Sequence, residues 1–104
     1  MIIKDVFDRI CLVSPVPEAV FRLHLDSTVR DLTVRYGEKY TAAPQDEIPL
    51  RQEYENALYM GILARITGKN EHEDAYYRLA NGAYYRVWHE LERKRRREEK
   101  GDDV

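Results

Sequence analysis

The sequence is poor in the residues that staple, kink or loop a small protein. Cysteine occurs once, at Cys11, which excludes an intramolecular disulfide and a cysteine-based zinc cluster. Five glycines and four prolines are scattered over 104 residues. They form no Gly-rich phosphate loop, low-complexity segment or internal repeat. No apolar run approaches the length of a membrane span. The opening MIIKDVFDRICLV sets Lys4, Asp5, Asp8 and Arg9 among its apolar residues, unlike a signal peptide. A soluble intracellular protein without a membrane partner is expected. Charge of one sign is lacking too: 17 Lys and Arg against 19 Asp and Glu leave a formal charge of −2. The chain as a whole is no polycation drawn to phosphates.

What is present is 43% hydrophobic and 35% charged residues, a mixture that suits amphipathic helices with charged outer faces in one small domain. Ile3, Val6, Phe7 and Ile10 recur at helical spacing and predict a short helix over 2–12, ended by Ser14-Pro15-Val16-Pro17. From about Pro17 the stripe Phe21, Leu25, Val29, Leu32, Tyr36 predicts a second helix, with Gly37 where a C-terminal cap belongs. Residues 38–48 read as a loop broken by Pro44. Pro49 suits the first turn of a third helix, whose stripe is Leu50, Tyr54, Ala57, Leu58, Gly61, Ile62 and Ile66, stopped by Thr67-Gly68. Asn70 and Glu73 form a capping-box-like start for the last helix. That helix carries Tyr76, Leu79, Ala80, Ala83, Tyr84, Val87, Trp88 and Leu91 and continues to about Lys100. Gly82 in its interior suggests a close helix–helix approach, since glycine there costs about 1 kcal/mol against alanine. The short Thr67–Asn70 connection makes the last two helices an antiparallel hairpin. The expected fold is therefore all-α: a small bundle of about four helices with a long C-terminal hairpin. Residues 1–92 would form the domain and 93–104 a charged extension.

Few constellations point to chemistry. His24, His72 and His89 lack a second histidine or cysteine at ligand spacing, and His89-Glu90 lacks the second histidine of HExxH. Glu71, Glu73 and Asp74 open the last helix, where acids complement its dipole. As neighbours in sequence they do not face one metal site. No catalytic, cofactor-binding or metal site is expected, and the protein reads as no enzyme. A helix-turn-helix would set the opening NEHED among phosphates, which would repel it. The eight tyrosines admit two readings. The Tyr76-Tyr77 and Tyr84-Tyr85 pairs can build an aromatic core with wet hydroxyls, or a protein-binding surface rich in Tyr, Trp and Arg.

Six of the 17 Lys and Arg lie between Arg93 and Lys100. As a helix this run forms the opposite-charge (i, i+4) pairs Glu90–Lys94, Glu92–Arg96, Lys94–Glu98 and Arg95–Glu99. Cations also suit a helix C-terminus. After Leu91 no apolar residue follows until Val104, so the segment projects as a charged helix or frays, and it can order on a partner.

The stretch PLRQEYENALYMGILARITGKNEHEDAYYRLANGAYYRVWHELERKRRREE resembles the small head-to-tail connector (adaptor) proteins of tailed bacteriophages and prophages. The shared pattern is a proline-led helix with Pro49, Glu53, Tyr54, Ala57 and Leu58, a short turn, then an aromatic-rich helix with a charged end. LDSTVRDLTVRYG, a helix ending in a basic-aromatic turn, extends the similarity to roughly 3–99. The resemblance implies a structural subunit that assembles with itself as a ring, commonly of twelve copies. Such a ring lies in the virion neck, is assembled in the bacterial host cytoplasm, and joins the portal to a tail or neck-completion protein. The short middle segment 38–48 departs from relatives with a longer loop there. The expected interaction residues are Tyr77, Arg78 and Tyr85, with Arg93, Lys94, Arg95, Arg96 and Arg97 meeting an acidic portal surface. The rival is a small nucleic-acid-associated regulator gripping phosphates with the basic tail. The interleaved glutamates, the acidic helix opening and the net negative charge make nucleic acid the less favoured partner.

Overall fold

The computed structural model describes residues 1–36, 47–48 and 50–102. The protein is all-α, with α1 (Ile3–Val13), α2 (Glu18–Tyr36), a 3-10 turn (Gln52–Tyr54), α3 (Glu55–Thr67) and α4 (Asn70–Asp102). The only β pairing among the described residues is an isolated antiparallel bridge between Ile2 and Glu47. The expected Gly37 cap, most of the expected loop at 38–48, Pro49 itself and Val104 lie outside the described residues.

α1 and α2 start and stop where their stripes predict. The Ser14 N–H closes α1 on the Ile10 carbonyl at 2.8 Å, and the Pro17 carbonyl accepts the first α2 bonds from Val20 and Phe21, each at 3.1 Å. Inward positions Val6 and Ile10 of α1 and Phe21, Leu25, Val29 and Leu32 of α2 are buried. Phe7 and Phe21 tie the two helices together with ring centroids 5.0 Å apart.

The third helix departs from expectation. It begins at Glu55 rather than at Pro49, preceded by the 3-10 turn. The reason lies in the backbone upstream. The Ile48 N–H donates to the Met1 carbonyl at 2.9 Å and the Leu50 N–H to the Ile48 carbonyl at 2.8 Å, while Arg51 stays extended at φ −65°, ψ 147°. The extended Arg51 breaks any helix begun at 49, and the Ile48–Met1 bond fastens the segment ahead of it to the chain's first residue.

α3 is the central element, in contact with α1, α2 and α4. Its Ala57, Leu58, Ile62 and Leu63 are buried, facing Tyr76, Ala80, Ala83 and Val87 of α4. Each fully buried valine, leucine or isoleucine contributes about 1.5–3 kcal/mol. Gly68 ends α3 in the left-handed region at φ 69°, ψ 13°, with its N–H on the Ala64 carbonyl. Nothing surrounds it, so Gly68→Ala tests backbone strain alone. It is expected to lower stability by about 1 kcal/mol in a urea titration.

The two-residue turn makes α3 and α4 an antiparallel hairpin, as read from the sequence. The capping box does not form as expected. Asn70 is already helical, and the Lys69 carbonyl accepts from the Glu73 N–H at 3.2 Å, so the first turn begins one residue earlier. Acids at Glu71 and Glu73 still occupy it. α4 runs unbroken to Asp102, and the molecule is correspondingly long, 57 × 30 × 21 Å.

Candidate interaction surface

Two sides of α4 are occupied, and the third is open. α3 covers the side of Tyr76, Ala80, Ala83 and Val87. The C-terminal turns of α2 cover a second side through a polar and aromatic seam. Tyr76, almost fully buried, donates its hydroxyl proton to Asp31 Oδ2 at 2.6 Å. Asp31 also accepts from Arg35 Nε at 2.9 Å. The Arg35 guanidinium lies 4.9 Å from the Tyr77 ring centroid, and that of Arg65 lies 5.6 Å from the Tyr76 ring centroid. Next along the seam, Tyr36 donates to Asn81 Oδ1 at 2.7 Å and its ring packs 5.4 Å from Tyr84.

Charge follows this geometry. Partial burial pushes the Asp31 carboxyl up, but the hydrogen bonds from Tyr76 and Arg35 and the charges of Arg35 and Arg65 prevail and hold it below its ordinary 3.8. Burial, the hydrogen bond to Asp31 and the Asp31 charge push the Tyr76 hydroxyl far above its ordinary 10.0. Tyr36 is also raised, chiefly by burial. A tyrosine so hard to ionise is a structural donor rather than an acid–base catalyst at neutral pH.

The sequence-predicted interaction residues therefore divide. Tyr77 is half-buried against Arg35 of α2 and belongs to the seam. Arg78 and Tyr85, seven residues apart, share the open side of α4, and Tyr85 is 60% exposed. Arg93, Lys94, Arg95, Arg96 and Arg97 are all exposed on the free end of the same helix. Of the four expected (i, i+4) pairs the structure forms Arg95–Glu99 at 3.8 Å, and Arg95 also reaches Glu92 at 3.3 Å.

One expectation is corrected. The sequence stripe on α4 runs on to Trp88 and Leu91, but Val87 is the last buried residue described on the helix, and Trp88 and Leu91 are 47% and 48% exposed. The bundle is simply too short to cover them, since α3 is 13 residues long against 33 for α4. With Tyr85, they make three large, mainly apolar side chains that stand in solvent just before the basic run. A second exposed apolar face lies on α2, where Val20, Leu23 and Val34 point away from the core. Because no side chain described beyond Val87 is buried, removing residues 93–104 is expected to change stability by less than about 0.5 kcal/mol. Thermal melts of the truncated and full chains check this.

The sequence reading missed Asp31, Arg35 and Asn81 as the groups that hold α2 against α4, and Arg65 of α3, which lies over the Tyr76 ring. The (i, i+4) spacing of Asp31 and Arg35 was visible, but nothing local says that the pair faces a buried tyrosine 45 residues away. Among the described residues no group of three or more His, Cys, Asp or Glu is placed to hold a metal ion, and no helix is long and apolar enough to cross a membrane. Comparison with family models, with curated proteins and with solved structures finds no match to this chain.

Proposed function

We propose that the protein is a structural head-to-tail connector subunit of a tailed bacteriophage or prophage, which joins other copies in a ring between portal and tail. The observation that carries this reading is the free end of α4. The helix continues 15 residues past Val87, the last buried residue described on it, to Asp102, roughly 22 Å of helix. That end presents exposed Trp88 and Leu91, with Tyr85 just before it and Arg93–Arg97 beyond, and of these the tyrosine, tryptophan and arginines are types enriched at protein interfaces. The resemblance of the sequence to neck adaptors supplies the partner, the portal, and the basic run calls for an acidic surface on it. A ring further needs two unlike patches on each subunit. The outer face of α2 with Val20, Leu23 and Val34 supplies a second patch of apolar character.

Mixing the purified chain with the portal protein encoded in the same genome tests this. Co-sedimentation of the chain with the portal ring is expected, and removal of residues 93–104 should abolish it while the bundle still melts as before. A chain that never binds its portal would sink the reading. Retention on duplex DNA that weakens steeply with salt and disappears with the same truncation would favour the regulator instead.

A further inference from the structure

The open side of α4 is ordered by charge along its length. Glu71 and Asp74 lie at its start, Gly82 and Tyr85 at its middle, and Arg93 and Arg96 at its far end. These positions recur at the three- and four-residue steps that keep side chains on one helix face. All but Gly82 are exposed, and Gly82 is half-buried. The glycine itself is unexplained within the chain. The sequence predicted a close helix–helix approach there, yet a Cβ at Gly82 would meet only the Arg86 side chain, at 3.9 Å. No helix of the same molecule uses the gap. Beside it Tyr85, Arg86, His89, Glu90 and Arg93 line a shallow recess.

We infer that this face pairs with the same face of a second copy, antiparallel, about a two-fold axis between Gly82 and Tyr85. Counting outward from that midpoint, Asp74 and Arg93 are equidistant, roughly 14 Å away along the helix, and Glu71 and Arg96 are equidistant at roughly 19 Å. Antiparallel pairing therefore sets Asp74 opposite Arg93 and Glu71 opposite Arg96, at both ends of the dimer. It lays Tyr85 of each copy over Gly82 of the other, where the missing side chain lets the ring approach the backbone. Arg78 meets the turn carrying His89 and Glu90. Parallel pairing would instead set acid on acid and base on base, so charge selects the orientation. An interface of this kind is isologous and closes on itself. It cannot propagate a ring, and it occupies Arg93 and Arg96, so it holds the subunit apart from any assembly that uses the basic end. The inference stands independently of the connector reading, because no portal takes part.

Sedimentation equilibrium of the purified chain at low salt is expected to show a dimer that dissociates as salt screens the end contacts. Gly82→Gln should keep or raise the melting temperature, because helix propensity improves, while weakening dimerisation about tenfold or more. The decisive experiment uses two charge-reversed chains, Glu71→Arg with Asp74→Arg, and Arg93→Glu with Arg96→Glu. Alone, each places like charges together at both ends and should be monomeric. Mixed in equal amounts, they restore opposite charges at both ends and should form a heterodimer with wild-type affinity. Four results overturn the inference. They are a wild-type chain that is monomeric at about 100 μM, a species larger than two, a Gly82→Gln dimer of wild-type strength, and reversed chains that do not pair on mixing. A monomer would leave this face to a different protein.

Discussion

Replacing Gly61 by leucine is expected to abolish the cooperative thermal unfolding transition. A Cβ at this position would lie 2.6 Å from Thr28 Cγ2 and 2.8 Å from Cδ1 and Cε1 of Tyr76, well inside van der Waals contact. Neither neighbour can move aside cheaply. Thr28 is fully buried and its hydroxyl donates to the His24 carbonyl at 2.7 Å. Tyr76 is pinned through its hydroxyl to Asp31. Overpacking by a single methyl in such a site costs about 1–3 kcal/mol, against about 1 kcal/mol gained in helix propensity. Gly61→Ala should therefore be a folded but weakened protein, and Gly61→Leu, with three more carbons, should not fold. Circular dichroism melts of the two variants check the order. A leucine variant that melts like the wild type would mean that α2, α3 and α4 do not meet at this point.

The second large effect concerns Tyr76. Tyr76→Ala is expected to lower stability by about 3–5 kcal/mol, because it empties a ring-sized space between α2 and α3 and strips Asp31 of a donor. Tyr76→Phe keeps the ring and removes only the hydroxyl, so a loss of about 1–2 kcal/mol is expected. The two variants also differ from the wild type in pH dependence. In the folded chain the Tyr76 hydroxyl ionises far above 10.0, the value it takes in the unfolded chain. Its contribution is thus complete below pH 10 and falls above it, by up to about 1.4 kcal/mol per pH unit. Asp31 works at the other extreme. Its folded value lies below 3.8, so its contribution is present above that pH and is lost as pH falls through the lowered value. Urea unfolding across pH should show a plateau between these limits. The alkaline decline should be shallower in Tyr76→Phe, and Asp31 should titrate nearer its ordinary value. An identical alkaline slope in wild type and Tyr76→Phe would contradict the buried donor.

The helices and their inward faces were legible in the sequence because burial imposes a period on the residues themselves. Phe21, Leu25, Val29 and Leu32 announce α2, and Tyr54, Leu58 and Ile62 announce the packed side that runs into α3. Where the sequence misled, it did so for want of a length or a neighbour. The stripe on α4 keeps its helical spacing through Trp88 and Leu91, and only the shorter α3 decides that those two stand in solvent. Two helical glycines carry the same local signal, yet Gly61 is wedged between Thr28 and Tyr76 while Gly82 faces outward. The start of α3 was misplaced because Arg51 is extended in a segment tied to Met1, far away in the chain. The candidate surface was half legible. Arg78, Tyr85 and the arginines of the free end are exposed, but Tyr77 belongs to the seam with α2, which only the packing of Arg35 reveals.

The continuity of α4 has a mechanical consequence. From Asn70 to Val87 the helix is gripped by the bundle over roughly 27 Å, and from Trp88 to Asp102 it runs on for roughly 22 Å with no buried side chain among the described residues. With arms of nearly equal length and no proline between them, it is a stiff lever with its fulcrum at Val87. A sideways push on the basic run Arg93–Arg97 is transmitted as torque into the hairpin, where Tyr76 packs closely against Gly61 and Thr28.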